Sequence, residues 1–212
     1  VDTDGRYAAV CDYKTGSPKL SLNEIMEGLS LQLITYLLAL SKTKSTKDLL
    51  PAAMMYIYLH GRPKSISVPP NGIPHAKEKE NTNGIFLNDP DVLRTLDSQS
   101  GTDDGFIGVS YVKDGSVKKT SPVLTAEEFE ALKALTEKTL IRLYSRLESG
   151  EIAIHPVKNG TLSPCSYCPY RSICRFDPAL PENSFDYISK VSDKTIREKL
   201  DEEMKRTRKE NL

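Results

Sequence analysis

Val10-Cys11-Asp12-Tyr13-Lys14-Thr15-Gly16-Ser17 has the pattern of a β-strand running out into a turn. It continues Arg6-Tyr7-Ala8-Ala9, a run with the apolar and aromatic content of a strand, and it ends in a Gly16-Ser17-Pro18 turn. Residues two apart on a strand share a face, so Asp12 and Lys14 point one way and Cys11 and Tyr13 the other. A hard oxygen ligand then sits beside an ammonium group. Such a pair can hold Mg²⁺, orient an attacking water and offset charge building on a phosphate. A half-buried strand with a solvated salt bridge at its tip has the same pattern, so Asp-x-Lys alone leaves both readings open.

Downstream, Ser21-Leu22-Asn23-Glu24 has the form of a capping box, with Ser21 as N-cap. The spacing of Leu22, Ile25, Met26, Leu29, Leu33, Leu37 and Leu40 predicts one helix to about Leu40 with a broad buried face. Gly28, Gln32 and Tyr36 form a neighbouring stripe. A glutamine beside a tyrosine on that border needs partners, and the plainer account is a satisfied glutamine at the core edge. Ala52 to Leu59 is a continuous apolar run between Pro51 and Gly61, the pattern of a strand covered on both faces. Residues 61–83 turn to Pro, Lys, Glu and Asn and read as an exposed excursion, with His75 inside it and no ligand role for it.

Asp89-Pro90 predicts an N-cap with proline at N1 and a short helix to about Leu96. Lys113-Asp114-Gly115 predicts a hairpin between 108–112 and 116–119. Thr125-Ala126-Glu127-Glu128 is a second capping box, opening the longest helix, which ends with Gly150 as C′. A short strand follows over 151–157. From Asp193 the sequence is a charged helical pattern with only Ile196, Leu200 and Met204 as an apolar stripe, expected to fray at its end.

The 212 residues carry 29 basic and 29 acidic side chains, so no global field marks a nucleic-acid partner and any DNA contact must be local. Four cysteines are too few for a disulfide scaffold. Three of them fall in Cys165-Ser166-Tyr167-Cys168-Pro169-Tyr170-Arg171-Ser172-Ile173-Cys174, a C-x2-C-x5-C pattern that points to a metal or cluster in a reducing compartment. Three thiolates do not close a four-ligand site. His155 completing a Cys₃His zinc site, Cys11, and a cysteine upstream of Val1 are the choices for the fourth. Cys11, inside a strand, fits a small buried apolar role better. No apolar stretch reaches membrane-spanning length and nothing resembles a signal peptide, which predicts a soluble cytoplasmic protein with no membrane partner. The chain opens on a polar turn without an initiator methionine and reads as a piece of a longer protein.

The strand ending V-C-D-Y-K-T-G, the helix carrying G-L-S-L-Q-L-I-T-Y-L and the late C-S-Y-C-P-Y-R-S-I-C-R-F-D-P occur in one order. Together they resemble the C-terminal nuclease domains of the AddB components of bacterial AddAB helicase–nucleases, in the RecB-like branch of the PD-(D/E)XK nucleases. The resemblance runs from Val1 to about Asp186. It implies an α/β, restriction-endonuclease-like core with a mixed central sheet flanked by helices and a Cys-rich C-terminal segment. On that basis the nuclease core spans 1–160, the iron–sulfur segment 161–180 and a charged helical tail 181–212.

The resemblance also implies Mg²⁺-dependent DNA exonuclease activity at double-strand ends, in recombinational repair, beside an ATP-powered AddA-like helicase–nuclease subunit. Asp12 would bind the metal, Tyr13 would lend its main-chain carbonyl, Lys14 would assist the water and the phosphate, and Gln32 and Tyr36 would form the helix-borne edge. Cys165, Cys168 and Cys174 would be three of four ligands to a [4Fe–4S] cluster. The family's other acidic ligand lies in an I-D-R-[IV]-D turn, of which Val1-Asp2 match only the last two residues. That acid and the fourth cysteine are therefore expected upstream, leaving this piece inactive alone. A non-catalytic DNA-binding or subunit-docking module with a Cys₃His zinc site is the rival reading.

Overall fold

The computed structural model describes residues 1–3, 5–16, 18–59, 82–102 and 105–210. Most of the predicted excursion, His75 included, lies outside the described residues. The core is a mixed five-stranded sheet in the order β1 (Asp2–Thr3), β2 (Tyr7–Lys14), β3 (Leu50–Tyr58), β4 (Thr82–Leu87) and β5 (Val123–Leu124). β2 and β3 run parallel, β3 and β4 antiparallel, and β4 and β5 parallel. β3 is the buried central strand that its apolar run predicts, with Ala52 to Tyr56 out of solvent. Its Pro51 lies next to a register shift between Ala8 and Ala9, the kind of irregularity at which a ladder tolerates a residue without an N–H.

β4 corrects the expected boundary of the excursion, which was drawn through Asn83. Thr-Asn-Gly looks like loop, but Gly84 is in the strand because β3 comes very close. A Cβ there would lie 2.5 Å from Met55 Cβ and 2.7 Å from the Met54 carbonyl oxygen.

The single helix expected from Ser21 to Leu40 is two helices, α1 (Leu22–Met26) and α2 (Gln32–Lys42). Between them the chain turns through left-handed backbone at Gly28 (φ 83°) and Ser30 (φ 50°). The Ser21 capping box does not form: the Ser21 side chain makes no cap hydrogen bond, and the Glu24 carboxylate is engaged elsewhere. Gly28 is therefore the break rather than part of a stripe with Gln32 and Tyr36. Its own tight contact, 3.3 Å from a notional Cβ to Thr139 Cγ2, brings this turn against the long helix.

α3 (Pro90–Leu96) begins as expected, with the Asp89 carboxylate accepting from Asp91 N and Val92 N. α4 (Ala126–Glu148) has the full Thr125/Glu128 capping box, and Gly150 follows it in left-handed backbone (φ 72°). The predicted hairpin after Gly108 is reduced to one bridge, Tyr111 with Val117. The loop before it is instead organised by the buried Asp97, whose carboxylate accepts from the main-chain N–H groups of Gln99, Phe106 and Ile107. The strand expected over 151–157 shrinks to β6 (Val157–Lys158), paired with β7 (Asp186–Tyr187), and the short helix α5 (Arg171–Cys174) lies between them in the chain.

α6 (Asp193–Glu210) follows the charged helical pattern expected from Asp193. It packs on α4, and Ile196 and Leu200 join Phe129 and Leu132 in the core cluster. Arg197 fixes its start, donating to Glu128 Oε1 at 2.6 Å and to the Val123 carbonyl at 3.1 Å. Much of the core thus lies between the sheet and a layer of α1, α2, α4 and α6, and Val92 and Leu93 of α3 belong to the same cluster. Among the described residues no helix is long and apolar enough to cross a membrane.

Candidate active site

The predicted face of β2 is the one turned toward α2. Lys14 Nζ lies 2.6 Å from Asp12 Oδ2 and donates to Gln32 Oε1 at 3.2 Å. Gln32 Nε2 in turn donates to the Tyr36 hydroxyl at 3.3 Å. The strand pair and the helix pair therefore meet as one linked row, with Gln32 at the first residue of α2 and Tyr36 one turn later. Tyr13 is on the opposite face and 63% exposed, lining a groove with Cys11, Met55 and Ile57 beneath α3.

Asp12 Oδ2 is buried, and it accepts no hydrogen bond of good alignment among the described residues. Its close contact is the Lys14 ammonium at 2.6 Å, an ion pair that leaves the oxygen a lone pair to spare. Interaction with Asp12 raises Lys14 above the ordinary lysine value of 10.5, against a smaller opposing effect of burial. Lys14 is thus a fixed cation beside an anionic oxygen with coordination capacity left over. That is the donor type a hard divalent cation takes.

Tyr56 completes this wall and was not singled out from sequence. It pairs with Asp12 in the parallel register, and its ring lies 5.2 Å below Lys14 Nζ. Burial pushes its phenol above the ordinary tyrosine value, with Asp12 and Glu24 acting the same way and Lys14 opposing. A tyrosine in an otherwise apolar, doubly covered strand was the available signal, because its hydroxyl needs a polar neighbour.

The cysteine segment is a different case. Cys165 lies in a 3₁₀ turn (Pro164–Ser166), Cys168 just after it, and Cys174 at the end of α5. Among the described residues none of the four cysteines is in a disulfide. Nor, among them, do three or more His, Cys, Asp or Glu side chains gather at a spacing that holds a metal. Cys165, Cys168, Cys174 and His155 are therefore not gathered around one point, and the His155 ring hydrogen-bonds Ser184 Oγ through Nδ1 at 3.3 Å.

Residues 1–175 match the PD-(D/E)XK nuclease superfamily. Curated relatives named as a subunit of an ATP-dependent helicase/deoxyribonuclease align along most of the chain. The Clostridium kluyveri protein is 34% identical over 198 residues, 90% of this chain and 17% of its own length. The Desulforamulus reducens protein is 32% identical over 197 residues, again 90% of this chain and 17% of its own. For Alkaliphilus oremlandii the figures are 29% over 209 residues, 95% and 18%. The chain thus spans less than a fifth of the length of these relatives. A mixed sheet flanked by helices agrees with the matched family, and the chain belongs to the PD-(D/E)XK nuclease superfamily.

Proposed function

We propose that this chain is the Mg²⁺-dependent DNA nuclease domain of a cytoplasmic helicase–nuclease, hydrolysing phosphodiesters at double-strand ends for recombinational repair. The observation that carries the reading is the buried Asp12 Oδ2 with unused acceptor capacity, next to a Lys14 held by Gln32. Asp12 and the Tyr13 main-chain carbonyl are the residues of this chain that would hold Mg²⁺, together with an acidic residue from outside it. When bound, the ion polarises the phosphate and lowers the pKa of a coordinated water.

The remaining work falls to side chains. Lys14 stays protonated, stabilises the negative charge that grows on the phosphate oxygens, and keeps an attacking water oriented. Gln32 fixes the ammonium from the helix side, and Tyr36 fixes Gln32. The name of the relatives supports DNA as substrate and an ATP-dependent partner, which we take to be an AddA-like subunit.

D12A in the intact protein, assayed with its partner on linear duplex DNA and Mg²⁺, tests the reading. The expected result is at least ~100-fold slower strand degradation with DNA binding retained, the scale of losing a group that stabilises transition-state charge. Unchanged degradation would leave a DNA-binding or docking module instead.

We assign Cys165, Cys168 and Cys174 to a [4Fe–4S] cluster whose fourth thiolate comes from outside these 212 residues. Their soft donor set and close spacing support this. Anaerobically purified intact protein should carry iron and sulfide and absorb in the visible, and C168S should remove both. Colourless protein with stoichiometric zinc would refute the assignment.

A further inference from the structure

We propose that Glu24 is a positioning residue for the nuclease reaction: it latches the strained turn at Ser30 and so aims Gln32 at Lys14. This rests on the nuclease reading above. Glu24 has the sequence position of a helix-capping glutamate, but its carboxylate does not reach back to Ser21. Glu24 Oε2 accepts from Ser30 Oγ at 2.8 Å, and Oε1 accepts from Asn159 Nδ2 at 3.2 Å. Its main-chain carbonyl accepts from Leu29 N at 2.8 Å. Both ends of this residue therefore hold the connection between α1 and α2.

The connection needs holding. Ser30 is in left-handed backbone, φ 50°, which an L-residue with a Cβ adopts only when its surroundings compel it. Two residues later Gln32 opens α2 with its side chain on Lys14. If Ser30 relaxed, Leu31 and the main chain entering Gln32 would shift, and the Gln32 side chain with them, while α2 stayed anchored from Leu33 onward by Leu33, Ile34 and Leu37. Asn159 adds a second function to the latch. It directly follows β6, 135 residues along the chain, so the end of that strand touches the turn that sets the active-site amide.

The test uses the intact protein with its partner, Mg²⁺ and linear duplex DNA, with D12A alongside. E24A is expected to lower kcat roughly 10- to 100-fold, the scale of a small misplacement of a catalytic group, with KM for DNA unchanged and a cooperative melting transition retained. E24Q is expected to recover most of the rate, because a hydroxyl and an amide can each reverse their role against a glutamine. E24A placed on Q32A is expected to add no further loss.

E24A at the wild-type rate while D12A is inactive overturns the latch and leaves the nuclease reading standing. D12A at the wild-type rate removes that reading itself. E24Q as slow as E24A overturns the latch in favour of a charge effect. Should E24A not fold, S30A decides, since it removes only the hydroxyl: a reduced kcat supports the latch and a wild-type kcat overturns it.

Discussion

Lys14 Nζ lies 5.2 Å from the centroid of the Tyr56 ring, on the strand next to its own, so an aromatic face forms the floor beneath the ammonium. A cation over a shielded ring is held by about 0.5–2 kcal/mol, and that attraction keeps Lys14 between Asp12 and Gln32. Y56L should therefore slow DNA cleavage by the intact protein roughly 3- to 30-fold. Y56F keeps the ring and should lose less. Steady-state rates of the two variants, with melting curves to exclude a packing loss, check this.

The pairing of Lys14 with Asp12 has a defined pH signature. Lys14 is raised above 10.5 in the fold, so the folded state holds its proton more tightly than the unfolded chain does. The resulting stabilisation is fully present below the unfolded lysine value of about 10.4 and is lost as pH rises through the folded value. Denaturant melts of wild type and K14M from about pH 7 to 11 should show a constant gap up to about pH 10 that closes above it.

Asp97 serves the 98–107 loop through both carboxylate oxygens: Oδ1 takes Gln99 N at 3.0 Å, and Oδ2 takes Phe106 N at 2.8 Å and Ile107 N at 3.2 Å. D97A takes the acceptor from one buried and two half-buried N–H groups and should cost about 2–4 kcal/mol, whereas D97N retains one acceptor and should cost less. Denaturant midpoints measure both.

At Gly84 the limit is steric. A Cβ 2.5 Å from Met55 Cβ must push β3 and β4 apart, and both neighbours are main chain or its first side-chain atom rather than a flexible tip. G84A should destabilise by about 1–3 kcal/mol, and G84V by more. Thermal unfolding of the two variants checks the order.

Arg197 joins the start of α6 to the capping box of α4, with 2.6 Å to Glu128 Oε1. R197A takes away the cation beside Glu128, which is 7% exposed, and leaves its carboxylate on the Thr125 N–H. The expected cost is about 1–3 kcal/mol. Hydrogen exchange should locate it in the first turns of α6 and in the amide of Thr125.

Features set by near neighbours were legible in the sequence. The Asp89 and Thr125 caps depend on residues within three positions, and Asp12 with Lys14, or Gln32 with Tyr36, follow from strand and helix periods. What escaped depended on distant partners. Glu24 looked like a capping glutamate because Asn159, one of its real partners, is 135 residues away. β4 looked like loop because Gly84 is explained only by the approach of β3, and Tyr56 enters the site only through a parallel register. The apolar stripe of α6 is narrow, and the further hold on the helix, Arg197 above all, comes from a partner 69 residues away.

The docking of α6 has a bearing on how the domain is made. β2 and α2, which carry Asp12, Lys14, Gln32 and Tyr36, leave the ribosome long before the helix that closes over α4 with Ile196 and Leu200. Until that helix emerges, the Phe129 and Leu132 side of α4 has no lid, and the layer that supports α2 is incomplete. A nascent chain therefore carries the Phe129 and Leu132 side of α4 uncovered through most of the synthesis of this domain, and the helical layer behind the sheet is completed last.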